Sequence, residues 1–141
     1  MMYILDTNVV SELRKARTGK ADPAVVAWAE SVPPSLQYLS VITILELEMG
    51  IAQIERRDHS QGLILKKWLK TQILTAFQKR ILHIDLLIAR RCGRGHVPDP
   101  RSDRDALIAA TALVHGMTVV TRNIDDFSPT GVPVLNPWES K

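Results

Sequence analysis

The sequence predicts an α/β domain built on a central, mainly parallel sheet. Three features carry that expectation. Short apolar runs recur at 3–5, 36–39, 81–82, 117–121 and 132–135. Stretches with the apolar spacing of helices lie between them. Strands that alternate with helices pair in parallel through crossovers.

Tyr3-Ile4-Leu5 is apolar and bounded by turn-formers, so it reads as a buried strand. A helix starting at Asp6 or Thr7 runs to about Arg14. The basic stretch RKARTGKAD over 14–22 is a flexible loop. Asp22 then suits an N-cap and Pro23 the first helical position, and Pro33-Pro34 stops that helix. After the strand at Leu36–Leu39, Ser40 caps the strongly helical VITILELEMGIAQIERR. A further helix is expected over 60–79, with Trp68, Leu69, Ile73 and Phe77 as its apolar stripe. Ile81-Leu82 is a short strand, and a helix follows from Asp85 to Arg94. GRGHVPDPRSD is loop, with two glycines and two prolines. DALIAATALVH is a helix closed by Gly116. Strand MTVVT, a turn or short helix over 122–127, and a last strand at Val132–Leu135 complete the chain.

The 141 residues are 45% hydrophobic, enough for one domain over 1–141 with a real core and too little for two. Net charge is +3 and the pI is near 9.2, a balance compatible with a nucleic-acid partner. A single cysteine, Cys92, excludes an intrachain disulfide and a Cys-based zinc cluster. The N-terminal apolar run is too short for a signal peptide and lacks a basic flank. No apolar stretch approaches the ~20 residues of a membrane span. The expectation is a soluble cytoplasmic protein that makes no membrane contact.

Four groups of polar residues stand out against this background. Asp6 interrupts an apolar run just past the first strand, where it is either a helix cap or part of a site. In an open parallel sheet, ligands bind outside the carboxyl ends of the strands. Asn123, Asp125 and Asp126 lie just past the strand ending at Thr121, so they meet Asp6 if the two strands are neighbours. Glu46 shares a helix face with Ile42, Leu45 and Met49. A carboxylate on an apolar face is costly unless it is paired or bound to metal, and an arginine partner is the plain alternative. Asp105 has two compatible readings. Ser102-Asp103-Arg104-Asp105 matches a capping box, yet a first-turn carboxylate at the sheet edge also points into a cleft.

Three carboxylates brought together raise one another's pKa. A divalent cation removes that cost. An all-oxygen set favours Mg²⁺ or Mn²⁺ over zinc. Such a site activates water and clamps a phosphate for in-line attack.

The blocks LDTNVVSEL, LSVITILELEMG and DALIAATALVHGMTVVTRNIDDF, with the closing VPVLNPW, resemble the PIN domain. The likeness is to VapC-type toxins of bacterial toxin–antitoxin pairs, including their FitB-like branch. It spans nearly the whole chain, with the blocks in the family's order. The resemblance implies a three-layer α/β/α sandwich. It also implies a metal-dependent ribonuclease that leaves a 3′-hydroxyl and a 5′-phosphate. It implies a homodimer held by a cognate antitoxin, with operator DNA reached only through the antitoxin.

By motif, the resemblance puts the acidic site on Asp6, Glu46 and Asp105. Asp6 and Asp105 are then direct metal ligands, and Glu46 is a ligand or the base for the attacking water. Thr7, Asn8 and Thr121 orient the carboxylates. Their ordinary readings are helix caps and a strand end. The family often has Asp directly after the Thr-Arg of the TVVTR block; this chain has Asn123. Asn123 reaches a metal only through water, and Asp126 is the alternative fourth acid. One Mg²⁺ is the expectation.

Arg122 is a candidate phosphate contact. Arg14 and Lys15, beside Arg17 and Lys20, are candidate RNA contacts or solvated loop residues. Lys66, Lys67 and Lys70 read as solvent-facing. His59, His83, His96 and His115 form no ligand pattern, and Cys92 reads as packing. Trp28, Trp68 and Trp138 read as core or interface. The run with Trp68, Ile73, Leu74 and Phe77 is a candidate dimer or partner surface.

Other classes fit less well. A phosphatase with a nucleophilic Asp after the first strand wants Asp-x-Asp, and Asn8 stands at the second position. In a receiver domain the phosphorylated Asp does not end the first strand. A non-catalytic PIN-like binding module is the remaining alternative. The intact Asp6, Glu46 and Asp105 argue against it, because decay of function strikes such residues first.

Overall fold

Five short strands form one parallel sheet in a computed structural model that describes residues 1–139. They are β1 (Tyr3–Leu5), β2 (Gln37–Ser40), β3 (Ile81–Leu82), β4 (Thr118–Val120) and β5 (Val134–Leu135). Their order is β3-β2-β1-β4-β5. The chain builds outward from β1 to β3, then crosses to the other side of β1 for β4 and β5. That reversal leaves a crevice at the carboxyl ends of β1 and β4. Tyr3 is level with Gln37 on one side and with Thr118 on the other.

The helices are α1 (Thr7–Arg14), α2 (Pro23–Ser31), α3 (Val41–Arg57), α4 (His59–Trp68), α5 (Leu86–Gly95), α6 (Asp103–His115) and α7 (Ile124–Phe127). Successive strand residues point to opposite faces, which sorts the core into two layers. Leu5 and Val120 pack with Val9, Val25, Leu47 and Ile73 on one face. Ile4 and Val119 pack with Ile108, Ala112 and Phe127 on the other. Ile88 and Cys92 of α5 close a smaller cluster against Ala106 and Ala110 of α6. This is the three-layer α/β/α sandwich.

Side chains set most helix starts. Asp22 caps Ala24 N at 2.8 Å ahead of Pro23, and the Ser40 hydroxyl accepts from Ile42 N at 3.0 Å. Gly116, at φ 69°, ends α6 in a conformation that only glycine adopts freely.

Four differences from the expected elements have local causes. β2 sits one residue later, because Pro34–Leu36 forms a 3₁₀ turn. The loop at 14–22 contains another, Lys15–Thr18, closed by Gly19 at φ 71°. The outer ends of the β4 and β5 runs are irregular, although Thr121 N still donates to Leu135 O at 3.0 Å. The helix expected over 60–79 is α4 followed by a π-helical stretch, Leu69–Thr75. There the Thr71 and Thr75 hydroxyls bond the carbonyls of Lys67 and Lys70 and compete with backbone amides. The wider turn still sinks both Leu69 and Ile73 into the core. No described helix is long and apolar enough to cross a membrane.

Candidate active site

Asp6 is the N-cap of α1, so its position follows from where β1 must end. Its backbone N–H continues the ladder to Val120 O at 2.9 Å. Its side chain is 5% exposed and satisfied from three directions. Oδ1 accepts from Thr7 N at 2.8 Å, and Oδ2 accepts from the Thr121 hydroxyl at 2.8 Å and Asn8 Nδ2 at 3.3 Å. Thr7 and Asn8 are therefore first-turn residues rather than caps.

Asn8 and Thr121 form a relay across the β1–β4 crevice. Asn8 Nδ2 also donates to Thr121 Oγ1 at 3.2 Å, and Asn8 Oδ1 accepts from Arg122 N at 3.2 Å. Thr121 Oγ1 further accepts from Asn123 N at 3.0 Å. The Thr7 hydroxyl reaches the other way and donates to Glu46 Oε1 at 2.7 Å.

Glu46 is half-buried on α3. Ile42 on its face is buried, but Leu45 and Met49 are exposed, so this apolar face is only partly buried. The arginine alternative is also realised: Arg104 Nη1 lies 3.6 Å from Glu46 Oε2.

The capping box is not formed. Ser102 takes the N-cap of α6 without a side-chain cap bond. The pattern matches at sequence level, but the reciprocal bond depends on loop geometry that residue types do not fix. Burial pushes the Asp105 carboxyl up to about 6, and the negative charges of Asp6, Asp126 and Glu46 push the same way against Arg104. Burial also raises Asp6, opposed by its bonds from Thr121 and Thr7 and reinforced by Glu46 and Asp126. The structure thus brings Asp6, Glu46, Asp105 and Asp126 into one electrostatic neighbourhood. Asn123 is exposed at the start of α7, beside a polar concavity of about 560 Å³ that Asp126 and Asn136 also line.

The basic candidates are dispersed. Lys15 pairs with Glu12 at 3.1 Å. Arg14 lies over the Trp68 ring at 5.9 Å and Arg122 over the Trp138 ring at 5.1 Å. Trp28 is buried, and Trp68 and Trp138 pack partly buried against the core.

Two features escape the sequence reading. Arg104 is one, and its only signal is adjacency to Asp105. The other is a polar neighbour of Cys92, which packs in the core as expected. Its Sγ lies 4.0 Å from His96 Nε2, which is 3.4 Å from Asp103 Oδ1. The spacing of four was readable, but a helix end at Arg94 puts His96 in a loop. Burial raises the Cys92 thiol, which disfavours the reactive thiolate.

The donor set suits a hard cation. All four acids offer oxygen, and two are held above their ordinary pKa by burial and mutual repulsion. Among the described residues, no three His, Cys, Asp or Glu side chains stand close enough to enclose a metal ion. An all-oxygen set of this kind suits a hard divalent cation rather than Zn²⁺.

A family model described as "PIN domain" matches residues 3–131. The chain belongs to the PIN domain family. Within it, the chain falls with the VapC-type toxins, on the FitB-like branch. It is 36% identical to a VapC ribonuclease of Sinorhizobium fredii, over 98% of this chain and 99% of that protein. It is also 36% identical to toxin FitB of Neisseria gonorrhoeae, over 97% and 99%. The FitAcB crystal structure from Neisseria gonorrhoeae superposes with a TM-score of 0.88, at 34% identity over 98% of this chain and 99% of that one.

Proposed function

We propose that this PIN domain is the toxin of a type II toxin–antitoxin pair, acting as an Mg²⁺-dependent endoribonuclease on one domain over 1–141. Mn²⁺ is the expected substitute. The observation that carries this reading is the shared neighbourhood of Asp6, Glu46 and Asp105 at the β1–β4 crevice, with Asp105 pushed up to about 6. Relatives named as a VapC ribonuclease and a toxin support the activity. A solved complex of FitAB with a DNA fragment supports an antitoxin partner, through which this chain reaches operator DNA.

A bound divalent cation supplies positive charge for the phosphate and a more acidic water. Asp6 and Asp105 hold it directly, and Asp126 or Asn123 through water. Thr121 and Asn8 keep the Asp6 carboxylate in one orientation. Thr7 fixes Glu46 Oε1, leaving Glu46 set to accept the proton of the attacking water or to join the ligands. Arg122, Arg14 and Lys15 are the nearby cations for the RNA backbone. The groove of about 180 Å³ lined by Leu5, Leu13, Trp68, Ile73 and Phe77, with Arg14 and Arg17 at its edge, suits an apolar partner segment. The protein works as a cytoplasmic homodimer.

Incubation of partner-free protein with structured and single-stranded RNA, in Mg²⁺ or in EDTA, tests this. Cleavage should need Mg²⁺ and vanish in Asp6→Asn. Cleavage that survives both overturns the mechanism.

A further inference from the structure

The outer face of α5 carries a charge arrangement that the carboxylate site does not use. Ile88 and Cys92 point inward against α6. Leu87, Arg90, Arg91 and Arg94 follow at the spacing i, i+3, i+4 and i+7, which is one continuous stripe on a helix. With Leu113 and Val114 of α6 they line an open groove of about 400 Å³. Leu86 and Leu87 at its start are 75% and 59% exposed.

The arginines of this stripe are uncommitted. Among the described residues, none of the guanidinium groups of Arg90, Arg91 and Arg94 makes a hydrogen bond or an ion pair. Elsewhere Arg80 binds the carbonyls of Pro34, Gln37 and Ala76, Arg101 binds those of Gly95 and Pro129, and Arg104 contacts Glu46. Three adjacent cations without a partner repel one another, so the stripe is set to receive negative charge.

Arg91 also borders a second, smaller concavity with Gly95, Arg101 and Ala106. Cations beside an apolar floor match single-stranded RNA, whose phosphates pair with guanidinium groups and whose bases rest on apolar side chains or arginine planes.

Resting on the ribonuclease reading, we infer that the Arg90–Arg91–Arg94 face of α5 binds the backbone of single-stranded RNA. The occupant is RNA rather than an acidic protein segment, because the apolar floor beside the cations receives bases where the guanidinium groups receive phosphates.

The test measures fluorescence anisotropy of a labelled mixed-sequence RNA strand in EDTA, across a salt series, for the whole protein. Arg90→Gln/Arg91→Gln/Arg94→Gln should weaken binding at least ~10-fold at low salt and flatten the salt slope by about 2, since each lost phosphate contact removes ~0.7. Arg56→Gln/Arg57→Gln, at the far end of α3, should leave both unchanged. The single variants Arg90→Gln and Arg94→Gln carry the same test if the triple variant does not fold. An unchanged slope, or an equal loss in the Arg56/Arg57 variant, overturns the inference. So does displacement of RNA by poly-glutamate at equal charge, which assigns the face to an acidic polypeptide. Because binding is read without catalysis, a wild-type protein that binds RNA here but never cleaves it defeats the ribonuclease reading and leaves this one standing.

Discussion

The Thr121 hydroxyl donates to Asp6 Oδ2 at 2.8 Å and joins two residues 115 positions apart across the β1–β4 crevice. Thr121 is fully buried, so no water replaces it. Thr121→Val keeps the shape and removes the donor. It should cost about 1–3 kcal/mol, the penalty for a buried acceptor left short of a partner. Mg²⁺ affinity should fall ~10–100-fold, the usual cost of losing a group that orients a ligand. Thr121→Ser should restore most of both. Urea unfolding and calorimetric Mg²⁺ titration read the two effects, and unchanged Mg²⁺ binding in Thr121→Val refutes the orienting role.

Asp105 is held ionised against burial and three neighbouring negative charges. Asp105→Asn removes that repulsion at nearly constant volume. In EDTA at pH 7.5 the variant should be more stable by about 1–2 kcal/mol, the shift discounted for solvent access. Its RNA cleavage should be abolished. The opposed signs mark a site kept under electrostatic strain for function. A variant less stable than the parent in EDTA contradicts the repulsion.

The same strain fixes how stability depends on pH. The folded Asp105 holds its proton up to about 6, whereas the unfolded chain releases it near 3.8. Metal-free protein should therefore be most stable at the low end of that window and lose stability as pH rises through about 6. Asp6 is raised and acts in the same direction. Glu12 is lowered by the Asp22 N–H and Lys15 and opposes them. Urea midpoints in EDTA from pH 4 to 8 should fall with rising pH in the parent and flatten in Asp105→Asn. Stabilisation by Mg²⁺ should grow over the same range, because the cation competes with the proton.

The parts of the site that were legible in the sequence each broke a local pattern. Asp6 interrupts an apolar run just past a strand, Glu46 sits beside apolar positions and Asp105 stands at the start of an alanine-rich helix. The parts that were not legible depend on tertiary packing or on a pattern with two outcomes. Arg122 and Arg14 lie over Trp138 and Trp68, contacts no local spacing encodes. Ser102 and Asp105 fit a capping box that the loop geometry does not make. The strand order was half legible: alternation implies parallel pairing, but only the structure sets β4 beside β1. The π-helical turn was hidden because Leu69 and Ile73 keep an ordinary helical spacing while nearby threonine hydroxyls take the carbonyls.

Gly62 tests the hairpin that holds α3. Asp58 ends α3 and caps α4, turning the chain so sharply that a Cβ on Gly62 would sit 2.7 Å from Glu55 Cβ and 2.8 Å from its Cα. Backbone must shift to admit it. Gly62→Ala should therefore destabilise by about 1–3 kcal/mol, the range for overpacking, despite alanine's better helix propensity. Thermal melting decides, and a variant as stable as the parent shows that the hairpin yields.

Asn123 stands where the resemblance to the family implies a fourth acid. It is exposed, and its backbone N–H is already fixed by Thr121 Oγ1 at 3.0 Å. Asn123→Asp therefore adds charge with little change of shape. The new carboxylate shares its concavity with Asp125 and Asp126, so metal-free protein should lose up to about 1 kcal/mol above pH 7, a small effect because the position is solvated. A cation reverses the sign. Mg²⁺ should bind more tightly in the variant, and a second, weaker binding event should enter the calorimetric titration, since an added carboxylate can share a second ion. If Asn123→Asp binds Mg²⁺ no better than the parent, Asn123 lies outside the reach of the metal and Asp126 is the fourth residue of the site.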